Sequence, residues 1–272
     1  MLKSIAHIHF LEGERGPEEA SLKFEDGISL LERYSIEEAV VTFHLRHPSD
    51  LRLASPQELM KKIVEYDGPV KITLMPEANL VLSSNASGGS PIVTHDIDAG
   101  KDLEVVAEGI SSLIAGWIVS AHYTKELGWP KKTDEDDALE QTYDCAADLY
   151  VQIMAEDWHG WIGHPFRWCT GKEMREPLIR TLAAAAKNAH LLEIPVVEFS
   201  PGKSSSGINL QSDAIAQFAS QSIASGCPLV AISCDAHHLR ELSERIEASF
   251  RLAEWLVFEG VHPEQIWGWR SS

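Results

Sequence analysis

Leu2-Lys3-Ser4-Ile5-Ala6-His7-Ile8-His9 opens the chain as a short apolar run ending in two histidines. Runs of the same kind recur at Ala39–Phe43, Val70–Met75, Trp117–Ala121, Gly160–Gly163, Leu191–Phe199 and Pro228–Ser233. Each reads as a buried strand, being apolar and bounded by turn-forming or polar residues. Helical patterns lie between them. Ser55-Pro56-Gln57-Glu58 has the form of a capping box with Pro at the first helical position. Leu59, Met60, Ile63 and Val64 then share a face, and Gly68-Pro69 stops the helix. Thr133 precedes Asp134-Glu135-Asp136-Asp137, which suits a solvated helix N-terminus. Pro177 starts a helix to about Ala189, and Ser212 caps one that ends before Gly226. A last helix runs from Leu239 to Phe258, with Leu239, Leu242, Ile246, Ala253 and Leu256 at helical spacing. The Gly/Ser-rich stretches Asn85–Ser90 and Ser200–Gly207 do not interrupt this alternation, so neither reads as an interdomain linker. Seven strand–helix units in 272 residues predict one α/β domain, residues 1–272, with parallel strands closed into a TIM-like barrel. A doubly wound open sheet is the rival.

Barrel sites sit at the C-terminal ends of several strands at once. Here those ends carry His7-Ile8-His9, Thr42-Phe43-His44, Pro76-Glu77, Ser120-Ala121-His122, Gly163-His164-Pro165 and Ser233-Cys234-Asp235-Ala236-His237. A His, Asp or Glu thus stands at six of the seven strand ends, which scattered histidines would not produce. Residues i and i+2 of a strand share a face, so the His7 and His9 imidazoles should point the same way. Neutral imidazoles and carboxylates are ligands for Zn, Mn or Fe. These groups exceed the needs of one ion, which implies two or three divalent ions close together. Such a centre makes hydroxide from water at neutral pH and clamps an in-line displacement at phosphorus.

Composition limits the alternatives. Lys plus Arg is 23 against 41 Asp plus Glu, a formal net charge of −18. Long nucleic acid is disfavoured as a partner, since phosphate contacts dominate such affinity. The N-terminus has no apolar signal segment, and Leu113–Ala121 is too short to span a bilayer. Cys145, Cys169, Cys227 and Cys234 form no CxxC pair, so reduced thiols and a cytoplasmic location are expected, with no membrane partner. Gly202-Lys203-Ser204 is not the end of a P-loop, because Val197 stands where the first Gly would be.

The order and spacing of these motifs, together with Ile162-Gly163-His164-Pro165 and Leu192-Glu193-Ile194, resemble the PHP (polymerase and histidinol phosphatase) superfamily over essentially the whole chain. The resemblance implies a distorted barrel of seven strands and seven helices that carries two or three divalent ions and hydrolyses phosphate esters. It implies His7, His9, His44, Glu77, His122, His164, Asp235 and His237 as ligands, with Glu77 bridging two ions. Three positions depart from the family pattern. Phe43 replaces an Asp, and Cys234 replaces a Ser. Leu11-Glu12-Gly13-Glu14-Arg15-Gly16 stands where a further His or Asp is usual. Glu12 or Glu14 could ligate; Arg15 cannot, but its planar fork suits a phosphate oxygen. Arg167 and Arg46 are further phosphate candidates. Glu193 either orients a ligand or forms a buried ion pair.

The expected function is that of a phosphomonoesterase similar to histidinol-phosphatases, acting on a small phosphorylated substrate through a metal-activated hydroxide. Asp235 or a neighbouring His would move the proton, and Arg15 or Arg167 would offset phosphoryl charge. The alternatives are a phosphodiester, oligonucleotide or phosphotyrosine esterase on the same site, and a non-catalytic metal-binding protein on this scaffold.

Overall fold

The computed structural model describes residues 1–10, 21–45, 54–83, 92–95, 115–121, 151, 160–163, 181, 184–185, 187, 191–196, 229–258 and 260–270. Ten strands form one sheet: β1 (Ser4–His9), β2 (Glu38–Thr42), β3 (His44–Leu45), β4 (Lys71–Leu74), β5 (Glu77–Ser83), β6 (Ile92–His95), β7 (Trp117–Ala121), β8 (Gly160–Gly163), β9 (Leu191–Pro195) and β10 (Val230–Ala236). The helices are α1 (Phe24–Arg33), α2 (Ala54–Glu65) and α3 (Leu239–Phe258) among the described residues.

Two pairs of these strands are halves of one. β2 and β3 are separated by Phe43 alone, and β4 and β5 by Met75-Pro76. Pro76 has no N–H to give to a ladder, which suits it to a break. Hydrogen bonds carry the pairing across: Met75 N–H donates to Val41 O (3.0 Å), Glu77 N–H to Phe43 O (2.9 Å) and Ile118 N–H to Pro76 O (3.0 Å). Counted this way the described residues give seven parallel strands. The pairing runs from β1 through β2/β3, β4/β5, β7, β8, β9 and β10 and returns to β1. β6 pairs antiparallel with β5 and stands outside this circuit. The sheet is therefore a curled, TIM-like α/β sheet.

Strand alternation sorts the side chains into two sides. Ile5, Ile8, Val41, Val119, Ile162, Leu192 and Ile232 join the helices' buried residues in the larger core cluster. On α3 those are Leu242, Ile246, Leu252, Ala253 and Leu256, which with buried Ser249 make one face at helical spacing. Each buried Leu or Ile contributes on the order of 2 kcal/mol. The second cluster takes one residue from each of the seven strands: Ala6, Val40, Met75, Ile118, Trp161, Leu191 and Ala231. One residue per strand is the pattern of an interior layer. Two residues further along six of the strands stand Thr42, Glu77, Ser120, Gly163, Glu193 and Ser233, all buried. The interior thus changes from apolar to polar within one layer, toward the C-terminal ends of the strands.

Close approaches and the tail complete the frame. A Cβ at Gly27 of α1 would strike the Phe10 ring, so glycine lets the helix lie against the residue that follows β1. Trp267 N–H donates to Val230 O (2.9 Å), and its ring lies 5.0 Å from that of Trp161. Trp267 and Trp269 anchor the tail as expected, Trp269 pairing with Leu2.

The expected strands all form, Trp117–Ala121 and Gly160–Gly163 with the bounds expected and the others with altered ends. β9 stops at Pro195, short of Phe199, and Val196 is already helical. β10 runs on to Ala236, which takes Asp235 into the strand. α2 begins at Ala54, so Ser55 lies inside the helix and not at its cap. α1 and β6 were not foreseen. Thr181, Ala184, Ala185 and Lys187 are helical, in keeping with the helix expected from Pro177. The helices expected near residues 133 and 212, and the loops at 85–90 and 200–207, lie outside the described residues. No helix among the described residues is long and apolar enough to cross a membrane.

Candidate metal centre

β1 and β10 are neighbours, and both are irregular where their polar residues begin. From Ile5 to Ile8, β1 advances three residues while β2 advances two, Ala39 to Val41. From Ser233 to Ala236, β10 advances three while β1 advances two. Each strand therefore bulges by one residue. His7 and Asp235 lie in these bulges with left-handed backbones, φ 63° and 46°. That conformation costs a non-glycine residue about 1–2 kcal/mol. Bulges re-aim side chains, and left-handed outliers cluster at functional sites. The β1 bulge puts Ala6 and His7 together on the inner side between outward Ile5 and Ile8, and His7 and His9, on either side of Ile8, both reach Glu77 as their i, i+2 spacing predicts.

Five side chains converge. His7 Nε2 is 3.3 Å from Glu77 Oε2 and 3.8 Å from Asp235 Oδ1. His9 Nε2 is 3.6 Å from Glu77 Oε2 and 3.6 Å from Asp235 Oδ1. The His9 and His237 rings stack at 4.1 Å. His7, His9 and Glu77 form one group whose ligand atoms lie within 4.8 Å of one another, and His9, Asp235 and His237 form a second that shares His9. The first group is fully buried; Asp235 and His237 face partly outward.

The donors suit divalent ions. Tetrahedral bonds of about 2.05 Å place neighbouring ligand atoms roughly 3.3 Å apart. The 3.3–3.6 Å separations around Glu77 Oε2 match this spacing. Tautomers suit it as well. Glu193, fully buried, lies 2.8 and 3.1 Å from His7 Nδ1 through its two carboxylate oxygens. A carboxylate accepts, so Nδ1 donates to Glu193, and Nε2 is the nitrogen turned to Glu77 that a metal would take. His237 Nδ1 donates to Asp235 O at 3.2 Å, with the same effect on its ring. Burial alone would lower the His7 pKa, but the Glu193 and Glu77 carboxylates outweigh it and hold it well above 6.5. A metal ion would take the place of that proton.

The structure thus brings together His7, His9, Glu77, Asp235 and His237 of the expected ligands, and Glu193 contacts one of them. His44 opens β3 in register with Glu77. His122 and His164 directly follow β7 and β8 in sequence and lie outside the described residues, as do Arg15, Arg46 and Arg167. Beside the centre, His238 Nδ1 bonds Ser21 Oγ at the surface, 2.6 Å away. Sequence reasoning missed Glu241 and Arg245 of α3. Glu241 accepts from His237 N–H at 3.0 Å, and Arg245 donates to the carbonyls of Cys234 and Asp235. An acid and a base four apart on a helix usually mark a surface pair, so nothing in the sequence distinguished these two.

No protein-family model matches the chain, and no curated protein matches it. Solved structures do. The histidinol phosphate phosphatase of Lactococcus lactis subsp. lactis Il1403, crystallised with zinc, L-histidinol and phosphate, superposes with a TM-score of 0.65. The match covers 96% of this chain and 94% of that one at 15% identity. The fold is shared. An endo-laminarinase from Formosa Hel1_33_131 matches at a TM-score of 0.35 and 11% identity over 82% of this chain and 62% of that one, too low to carry an argument.

Proposed function

We propose that the chain is a metal-dependent phosphoesterase of the PHP type, a single barrel domain acting on small phosphate monoesters much as histidinol-phosphatases do. The observation that carries this reading is the convergence of His7, His9, Glu77, Asp235 and His237 at one end of the curled sheet. The shared fold with a zinc-containing phosphatase supports it. Divalent ions bound there supply Lewis-acid charge toward a phosphoryl oxygen and acidify water at neutral pH. His44, His122 and His164 complete the ligand set for two or three ions in this reading. Glu193 holds the His7 ring and its tautomer. Asp235 exchanges a proton with substrate or solvent in this reading, supported by its being more exposed than Glu77. Arg15 and Arg167 take the phosphoryl oxygens.

The test is a phosphate-release screen over small phosphomonoesters, a phosphotyrosine peptide and a short oligonucleotide, with Mn, Zn or Fe added. The expected result is turnover of a monoester that falls at least ~100-fold in His9→Ala and Asp235→Asn, the scale of losing organised charge stabilisation. Metal uptake without hydrolysis of any ester would make the protein a non-catalytic binder. Turnover confined to the oligonucleotide or peptide would move the substrate class.

A further inference from the structure

We infer that Arg245 and Glu241, one turn apart on α3, are positioning residues for the Asp235–His237 half of the metal centre. The inference rests on the metal-binding reading above. Asp235 has a left-handed backbone and would relax to a negative φ if nothing held it. Bonds from α3 help to hold it. Arg245 Nη1 donates to Cys234 O at 3.0 Å and also to Asp235 O. Its Nη2 pairs with Glu241 Oε1 at 3.4 Å, and Glu241 Oε2 accepts the His237 N–H at 3.0 Å. The pair thus grips three backbone groups in the four residues 234–237. Within that grip, Asp235 Oδ1 faces His9 Nε2 and the His237 ring stacks on His9. The His7–His9–Glu77 group receives no bond from this bracket among the described residues. Arg245 and Glu241 lie one turn apart and so act as a unit. The planar guanidinium can serve two carbonyls and a carboxylate together; an ammonium offers no such fork.

The experiment uses the full chain and Zn2+ as probe. Zinc affinity and stoichiometry are read by chelator competition, and the melting temperature is read with and without zinc. Arg245→Met should weaken the more labile zinc site about 10–100-fold, the usual effect of removing a group that orients ligands, and leave the tighter site intact. Arg245→Lys should recover part of the loss. Glu241→Ala, which removes the grip on His237 and the ion-pair partner of Arg245, should weaken the same site by about tenfold; it carries the test if Arg245→Met fails to fold. Arg240→Met is the control, since Arg240 pairs with Glu244 on the exposed face, away from the centre. A merely structural role would lower the metal-free melting temperature and leave the gain on adding zinc unchanged, which would overturn the inference. So would wild-type zinc affinity in both Arg245→Met and Glu241→Ala. A wild-type chain that takes up no zinc would overturn the metal reading and this inference together; equal zinc binding by wild type and variants overturns this inference alone.

Discussion

Glu193→Gln isolates the contribution of one buried carboxylate to the centre. Gln keeps the volume of Glu and an oxygen acceptor but removes the charge. In the native chain His7 Nδ1 lies 2.8 and 3.1 Å from the two Glu193 oxygens, with both side chains fully buried. A hydrogen bond to a charged group contributes about 1.5–3 kcal/mol. Orienting partners of ligating histidines are worth 10–100-fold in metal affinity, or about 1.4–2.8 kcal/mol at 1.4 kcal/mol per decade. The two ranges agree, so Glu193→Gln should raise the zinc dissociation constant 10–100-fold in a chelator-competition titration. The metal-free protein adds a pH signature. Because the folded His7 pKa is raised, its pairing with Glu193 and Glu77 stabilises the fold fully below pH 6.5. That stabilisation is lost as the pH rises through the raised value. Glu193→Gln should therefore lower the metal-free melting temperature more at pH 6 than at pH 9. A zinc affinity within threefold of wild type, or a destabilisation that grows with pH, would refute the role given to this carboxylate.

Two further outcomes follow from packing. A Cβ at Gly163 would collide with Ser120 Oγ and Ile118 Cγ2 and lie 3.3 Å from Glu193 Oε2. Gly163→Ala should cost about 1–3 kcal/mol in urea unfolding, and adding Ser120→Gly should restore part of it; a neutral Gly163→Ala would refute the close packing. Burial pushes the Cys234 thiol up to about 12. Its nearest polar partner is Ser249 Oγ at 3.7 Å. Peptide mapping after iodoacetamide at pH 8 should find Cys234 unmodified in native protein and alkylated in urea.

How much of this was legible in the sequence differs from element to element. Trp117–Ala121, Gly160–Gly163 and Leu239–Phe258 were readable to the residue because local pattern and burial agree there. β9 was read too long: Val197-Glu198-Phe199 continues an apolar pattern, but Val196 is already helical. α1 was overlooked because Gly27 interrupts its pattern with a poor helix former, and only the Phe10 ring beside it explains the glycine. Of the centre, His7, His9, Glu77, Asp235 and His237 were all nameable, since polar ligand types at apolar strand ends stand out against their surroundings.

By itself, the sequence determined the alternation of strand and helix and the choice of donor chemistry, because both are written in residue type and short-range spacing. Only the tertiary structure decided which donors share an ion-sized space. That depends on two bulges, that of β1 against β2 and that of β10 against β1, on the left-handed backbones of His7 and Asp235, and on Arg245 and Glu241 reaching in from α3. A bulge shifts register by one residue through hydrogen bonds to a neighbouring strand, and β1 and β10 are more than 220 residues apart in the chain. No local pattern encodes a shift that exists only once the two strands have paired.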